Sequence, residues 1–231
     1  MGIQPPIMPD TLWAMNVLLA GTVGSTAYGL SGPGSDVDRL GLFAAPTAAF
    51  HGLHGPKESI VTTEPDLTLH EAGKWCRLAL NGNPTVMELV WLPDELYDTR
   101  TDLGSALIGI RGAFLSRPGV RNSYLGYASQ QLRKIANGAS DRRTAKHARH
   151  LARLIFQGTR LYGQGELVVR LDDPQWFLDF GEEVAGGDHE RARELLARAE
   201  DDFDRISSPL PDRPDEAVVD DWLRSVRAAH L

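Results

Sequence analysis

Two aspartates one residue apart, Asp36 and Asp38, close the glycine-rich stretch "GSTAYGLSGPGSDVDRLG", which starts at Gly24 and Ser25. Strand alternation across Asp36-Val37-Asp38 predicts both carboxylates on one face and Val37 buried on the other. Carboxylates held that close repel, and a divalent cation between them keeps both ionised. Mg²⁺ or Mn²⁺ suits such a set, because a hard ion takes a few carboxylates and completes its shell with water and phosphate oxygens. Upstream, Gly24 lets the backbone approach a phosphate, and the Ser25 amide and hydroxyl can donate to it. Either element alone is ordinary turn chemistry. After the apolar run "NVLLAG", and with ten residues between Ser25 and Asp36, the two together describe a site for a phosphorylated substrate.

With these residues in place, the sequence resembles the nucleotidyltransferase superfamily typified by DNA polymerase beta. It is similar in particular to a bacterial and phage branch associated with RNA repair, in which Gly-Ser, Ala-Tyr-Gly-Leu and Ser-Asp-X-Asp occur together. The likeness continues through "NPTVMELVW" and "KHARHLARLIFQG", covering roughly residues 17 to 163. The resemblance implies transfer of a nucleoside monophosphate from a nucleoside triphosphate to a hydroxyl, with release of pyrophosphate. It implies Asp36 and Asp38 on Mg²⁺ or Mn²⁺, and Gly24 and Ser25 on the triphosphate. Two metals would need a third carboxylate from a neighbouring strand. Asp66, opening "DLTLH", is the candidate, with Glu64 and Glu71 as rivals. Asp36, Asp38 and Asp66 are thus the expected catalytic and metal-binding residues. Arg39 departs from the family pattern, which prefers an apolar residue there; its charge could pair with a carboxylate or with substrate phosphate.

In "AKHARHLARL", Lys146, Arg149, His150 and Arg153 recur at helical spacing and predict one cationic face that could close over a triphosphate. The resemblance agrees, since helical domains of the superfamily often place a phosphate-binding lysine in the cleft. Tyr28 could stack on a base, line the cleft or pack beneath the glycine turn. The expected nucleotide-binding residues are Gly24, Ser25, Tyr28, Arg39, Lys146, His150 and Arg153. Asn83 and Glu88 read as residues that cap and orient the "NPTVMEL" helix, with reach to the metal site as the alternative for Glu88.

The elements that must position these residues are strands at "NVLLAG", "RLGLFAAP", "ESIVTT" and "DLTLH", and helices at "EAGKWCRLAL" and "PTVMELVWL". From about residue 116 helices dominate, apart from a short strand pattern in "ELVVRL". Asp188 is placed to cap one late helix and Pro214 to open the last. The expected fold is α+β: a nucleotidyltransferase-like mixed β-sheet with flanking helices over residues 1–115, then a C-terminal helical domain over residues 116–231. Tryptophans Trp13, Trp75, Trp91, Trp176 and Trp222 read as core anchors, and Cys76 as a packing residue.

Charge is unevenly placed: net −6 over residues 1–115, +9 over 116–170 and −10 over 171–231, within a total of −7. A basic middle between acidic flanks predicts either an internal charge match or a surface for polyanions. The overall sign disfavours long nucleic-acid tracks but permits a short RNA end as acceptor; a protein hydroxyl or a small molecule is the alternative. The competing readings are a catalytically silent nucleotide- or RNA-binding module and an antitoxin-like protein-modifying nucleotidyltransferase. No Walker A, His-Glu-X-X-His, Gly-X-Ser-X-Gly or dinucleotide fingerprint occurs, which removes the commonest other phosphate and hydrolase chemistries. One cysteine, no leader-like N-terminus and no membrane-length apolar run read as a cytoplasmic protein with no membrane partner.

Overall fold

The computed structural model of the chain describes residues 16–138 and 141–231. The first apolar run forms β1 (Asn16–Thr22), and "RLGLFA" forms β2 (Arg39–Ala44), whose residues are all buried. A strand covered on both faces carries a continuous apolar run instead of an alternation. β3 (Ser59–Thr63) and β4 (Asp66–Glu71) follow where expected. A short β5 (Tyr97–Arg100) completes a sheet of order β3-β4-β2-β1-β5. β2 and β4 run parallel, and the other neighbouring pairs antiparallel. The outcome is the mixed α+β fold expected. Sequence periodicity does not reveal β5, because "YDTR" is a four-residue edge strand with no apolar run.

The helices are α1 (Gly24–Tyr28), α2 (Ala72–Leu80), α3 (Pro84–Glu88), α4 (Asp102–Gly109), α5 (Arg117–Ala136), α6 (Asp141–Gln164), α7 (Pro174–Ala185), α8 (His189–Arg205) and α9 (Glu216–Ala229). Several of their starts are fixed by side chains that accept from otherwise orphaned N–H groups, although α1 has no such cap. Glu71 accepts from Gly73, Asn83 from Thr85 and Val86, Ser116 from Gly119, and Asp188 from Arg191. The last helix is capped by Asp215, one residue beyond the expected Pro214. "ELVVRL" is not a strand. Its alternation is real, with Leu167, Val169 and Leu171 buried, but its backbone partners are not a sheet. The Val168 carbonyl accepts from Gln157 Nε2 at 3.0 Å, and the Leu171 N–H donates to the Tyr28 carbonyl at 3.2 Å.

One hydrophobic core runs from Leu18 and Leu42 in the sheet to Phe203 and Val226 in the late helices. Trp75 is fully buried and meets Phe114 edge-on at 5.3 Å. Trp222 is buried and donates to the Leu103 carbonyl. Trp176 corrects the core reading, since it stands 39% exposed and stacks on Phe180; Trp13 lies outside the described residues. Burial pushes the Cys76 thiol up to about 12, so it stays protonated at neutral pH and serves packing. Among the described residues no helix is long and apolar enough to cross a membrane.

Candidate functional site

β1 ends at Thr22, and the chain turns at once into α1, the Val23 N–H donating to the Asp38 carbonyl at 2.9 Å. Gly24 has φ +68°, and a Cβ there would overlap the Asp38 carboxylate. Both the left-handed backbone and the close approach require glycine. Gly29, at φ +81°, then ends α1. Gly24→Ala is expected to cost at least the roughly 1–2 kcal/mol of a left-handed residue and to displace Asp38. A lowered melting temperature by calorimetry is the expected result.

Asp36-Val37-Asp38 is not a strand, contrary to expectation: β2 begins at Arg39, and Val37 is 45% exposed. Asp36 therefore need not share a face with Asp38. The parallel register pairs Arg39 with Leu67, so the preceding residues, Asp38 and Asp66, stand side by side. Burial first, then the Asp66 carboxylate, raises the pKa of Asp38, against the pull of Lys146 across the cavity. Asp36 lines the same cavity and adds to the negative field on Asp38. Among the described residues no three acidic, histidine or cysteine side chains converge as a preformed metal cage. Asp38 and Asp66 nonetheless fit a hard divalent cation in donor chemistry, being adjacent oxygen ligands that make no ion pair among the described residues. The rivals are placed elsewhere. Glu71 caps α2 and pairs with Arg227 at 2.6 Å, and Glu64 is exposed beside the β3–β4 turn.

The cavity has a volume of about 420 Å³, within the size range of small-molecule sites. Gly24, Ser25, Tyr28, Asp36 and Asp38 line one side, with Ser35 and Thr85; α6 supplies Arg142, Lys146, Arg149, His150 and Arg153. Arg142 extends the predicted cationic face one turn toward the helix start, so the same four-residue spacing carried back from Lys146 reveals it in the sequence. Lys146 is exposed and makes no ion pair among the described residues.

Three expected nucleotide ligands have other duties. Arg39 is outside the cavity, its side chain 8% exposed and its Nε bonded to Asp98 on β5 at 3.0 Å. Of the two partners open to it, carboxylate or phosphate, the carboxylate is the one it has. Arg153 lines the cavity but is buried, with one amino group donating to Glu88 at 2.5 Å and to Gln157 at 2.6 Å. Its guanidinium lies 4.1 Å over the Tyr28 ring, and the Tyr28 hydroxyl donates to the other Glu88 oxygen at 2.6 Å. Tyr28 is thus both cavity wall and support for the glycine turn. Burial pushes the Glu88 pKa up despite Arg153 beside it.

His150 is the third. Burial and then the cations Arg153, Lys134 and Lys146 push its imidazole down to about 3, so at neutral pH it offers no positive charge to a phosphate. The unfolded imidazole takes its proton near pH 6.5, so between that pH and the folded value the unfolded state binds more protons. Stability held above pH 6.5 is lost as pH falls toward 3. His150→Gln is expected to flatten this fall, read as a smaller change in urea midpoint between about pH 7 and about pH 5 than in the parent.

A family model described as RNA repair pathway DNA polymerase beta family (RlaP) matches residues 10–217. No curated protein matches the chain.

Proposed function

The chain belongs to the RNA repair pathway DNA polymerase beta family, and on that premise we propose that it is a metal-dependent nucleotidyltransferase acting on a nucleoside triphosphate and a hydroxyl acceptor. The observation that carries the reading is the opposition of charges across one cavity: Asp38 beside Asp66, with Asp36 near, on the sheet side, and Lys146 with Arg142 on α6. A triphosphate needs both, a cation for its non-bridging oxygens and carboxylates to hold the counter-metal.

In the reaction the acceptor oxygen attacks the α-phosphorus, the bond from that phosphorus to the β-phosphate oxygen breaks, pyrophosphate leaves and the hydroxyl proton passes to solvent. Asp38 and Asp66, assisted by Asp36, would hold Mg²⁺ or Mn²⁺, which when bound makes the attacking hydroxyl more acidic and offsets charge on the leaving group. Gly24 leaves room for the triphosphate beside Asp38, and Ser25 can donate to it. Lys146 and Arg142 offset its negative charge from the other side, and the Tyr28–Glu88–Arg153 set keeps the turn in place. Catalysis then rests on alignment and charge, with no covalent step on the protein.

Incubation with each radiolabelled nucleoside triphosphate, Mg²⁺ or Mn²⁺, and a short RNA is expected to release pyrophosphate and label the acceptor. Triphosphate binding without pyrophosphate release, whatever the acceptor, would overturn the enzyme reading. Arg39, which departs from the family pattern, does not oppose the enzyme reading, because its charge is paired with Asp98 away from the cavity.

A further inference from the structure

Residues 116–170 carry 11 basic side chains, and the fold sorts them into two groups. Six have carboxylate partners: Arg117 with Asp212, Arg121 with Asp204, Arg149 with Glu182, Arg153 with Glu88, Arg160 with Asp172 and Arg170 with Glu95. The remaining five, Arg133, Lys134, Arg142, Arg143 and Lys146, are exposed and make no ion pair among the described residues. All five lie where the C-terminal end of α5 meets the first turns of α6, with Arg142 and Lys146 reaching the cavity rim. Arg133 and Lys134 suit a helix C-terminus, but Arg142 and Arg143 sit at the positive end of the α6 dipole, where a cation is locally unfavourable. Helix stability therefore does not account for them. The field they create is felt nearby: after burial, Lys134, Lys146 and Arg143 lower the pKa of His147, and Lys134 and Lys146 contribute at His150.

We propose that the unpaired cations at the α5–α6 end form a landing surface for the phosphates of a single-stranded nucleic acid, whose terminal hydroxyl is delivered to the cavity as acceptor. The proposal rests on the nucleotidyltransferase reading for the fate of that hydroxyl, but the surface itself is tested by binding. Among the described residues the internal charge match leaves this one region of the basic segment without ion-pair partners, and it opens onto the site. A small-molecule acceptor would need no cations beyond the rim, whereas a strand presents a phosphate at every nucleotide.

Fluorescence anisotropy with a short fluorescein-labelled single-stranded RNA, at several salt concentrations, tests this. If all five cations meet phosphates, the logarithm of the binding constant is expected to fall with the logarithm of salt with a slope of about −3.5, at roughly −0.7 per contact. Lys134→Glu combined with Arg143→Glu, neither in the cavity wall, is expected to weaken binding at least tenfold and flatten the slope by about 1.4, while ATP affinity with Mg²⁺ stays within about twofold. Arg121→Glu with Arg160→Glu changes the net charge equally at paired positions and is expected to leave RNA binding close to the parent. Circular dichroism and thermal melts check that the variants fold. A parent that fails to bind the RNA, a slope near zero, or equal losses in both double variants would overturn the surface. RNA bound by the parent without any transfer would instead sink the enzyme reading and leave the surface standing. Transfer to a protein or small molecule with no RNA bound would do the reverse.

Discussion

Asp38→Asn is expected to lower nucleotidyl transfer by on the order of 10³-fold, the scale on which aligned electrostatic groups act in enclosed sites, without lowering thermal stability. The two halves of that expectation have one cause. Asp38 stands beside Asp66 across the parallel β2–β4 pair, partly buried, and its pKa is raised first by that burial and then by Asp66. In the absence of a cation the two like charges oppose folding, so a neutral isostere relieves them. The same substitution removes an oxygen ligand from the place where a triphosphate and its metal would meet. Melting at or above the parent temperature, together with lost pyrophosphate release, is the expected result. Asp66→Asn is expected to behave the same way, because it relieves the same repulsion and removes the neighbouring ligand. Transfer that survived in both variants would show that the carboxylate pair is not the catalytic centre.

What the sequence discloses and what it conceals follow from the range over which each signal acts. Gly24, Ser25, Asp38 and Asp66 are legible because strand length, glycine punctuation and helix spacing are local. The helix period likewise assigns Lys146 and Arg149 to one face, and all line the cavity except Asp66, which adjoins it through Asp38. Val37 misleads because three residues can satisfy a strand alternation without a neighbouring strand to pair with. For Arg39 the choice between carboxylate and phosphate, and for Arg153 its pairing, are hidden for a different reason. Their carboxylate partners, Asp98 and Glu88, are 59 and 65 residues away in the chain, and no local pattern records which charges a fold will neutralise. The same holds for the basic middle, where composition alone cannot separate six paired cations from five unpaired ones. That division is made by α3, α7 and α8 and by the connecting segments that carry Glu95, Asp172 and Asp212, and it turns a diffuse charge excess into a located surface.

The buried set around Glu88 yields the largest stability prediction. Glu88 and Arg153 are almost completely enclosed, at 1% and 4% side-chain exposure, and each oxygen of Glu88 has its own donor. Glu88→Ala leaves a guanidinium buried with Gln157 as its remaining bonded partner, and breaking a buried pair in this way costs about 3–5 kcal/mol. For a chain of this size each kcal/mol shifts melting by roughly 2–4 °C, so a fall on the order of 10 °C is expected. Replacing both members, Glu88→Met with Arg153→Met, removes the charge as well as its partner and is expected to recover most of that loss, less about 1 kcal/mol for each hydrogen bond forfeited at Tyr28 and Gln157. Function is expected not to recover with it. Tyr28 would lose its side-chain bond while its carbonyl kept the tie to the Leu171 N–H, and the turn carrying Gly24 and Ser25 would lose its support from α3 and α6. A double variant stable near the parent, with KM for the triphosphate raised about tenfold or more and kcat changed less, would identify the set as a positioning device. Equal melting temperatures for the parent and Glu88→Ala would mean that the pair is solvated in solution, and the account of how α6 is joined to the glycine turn would fail with it.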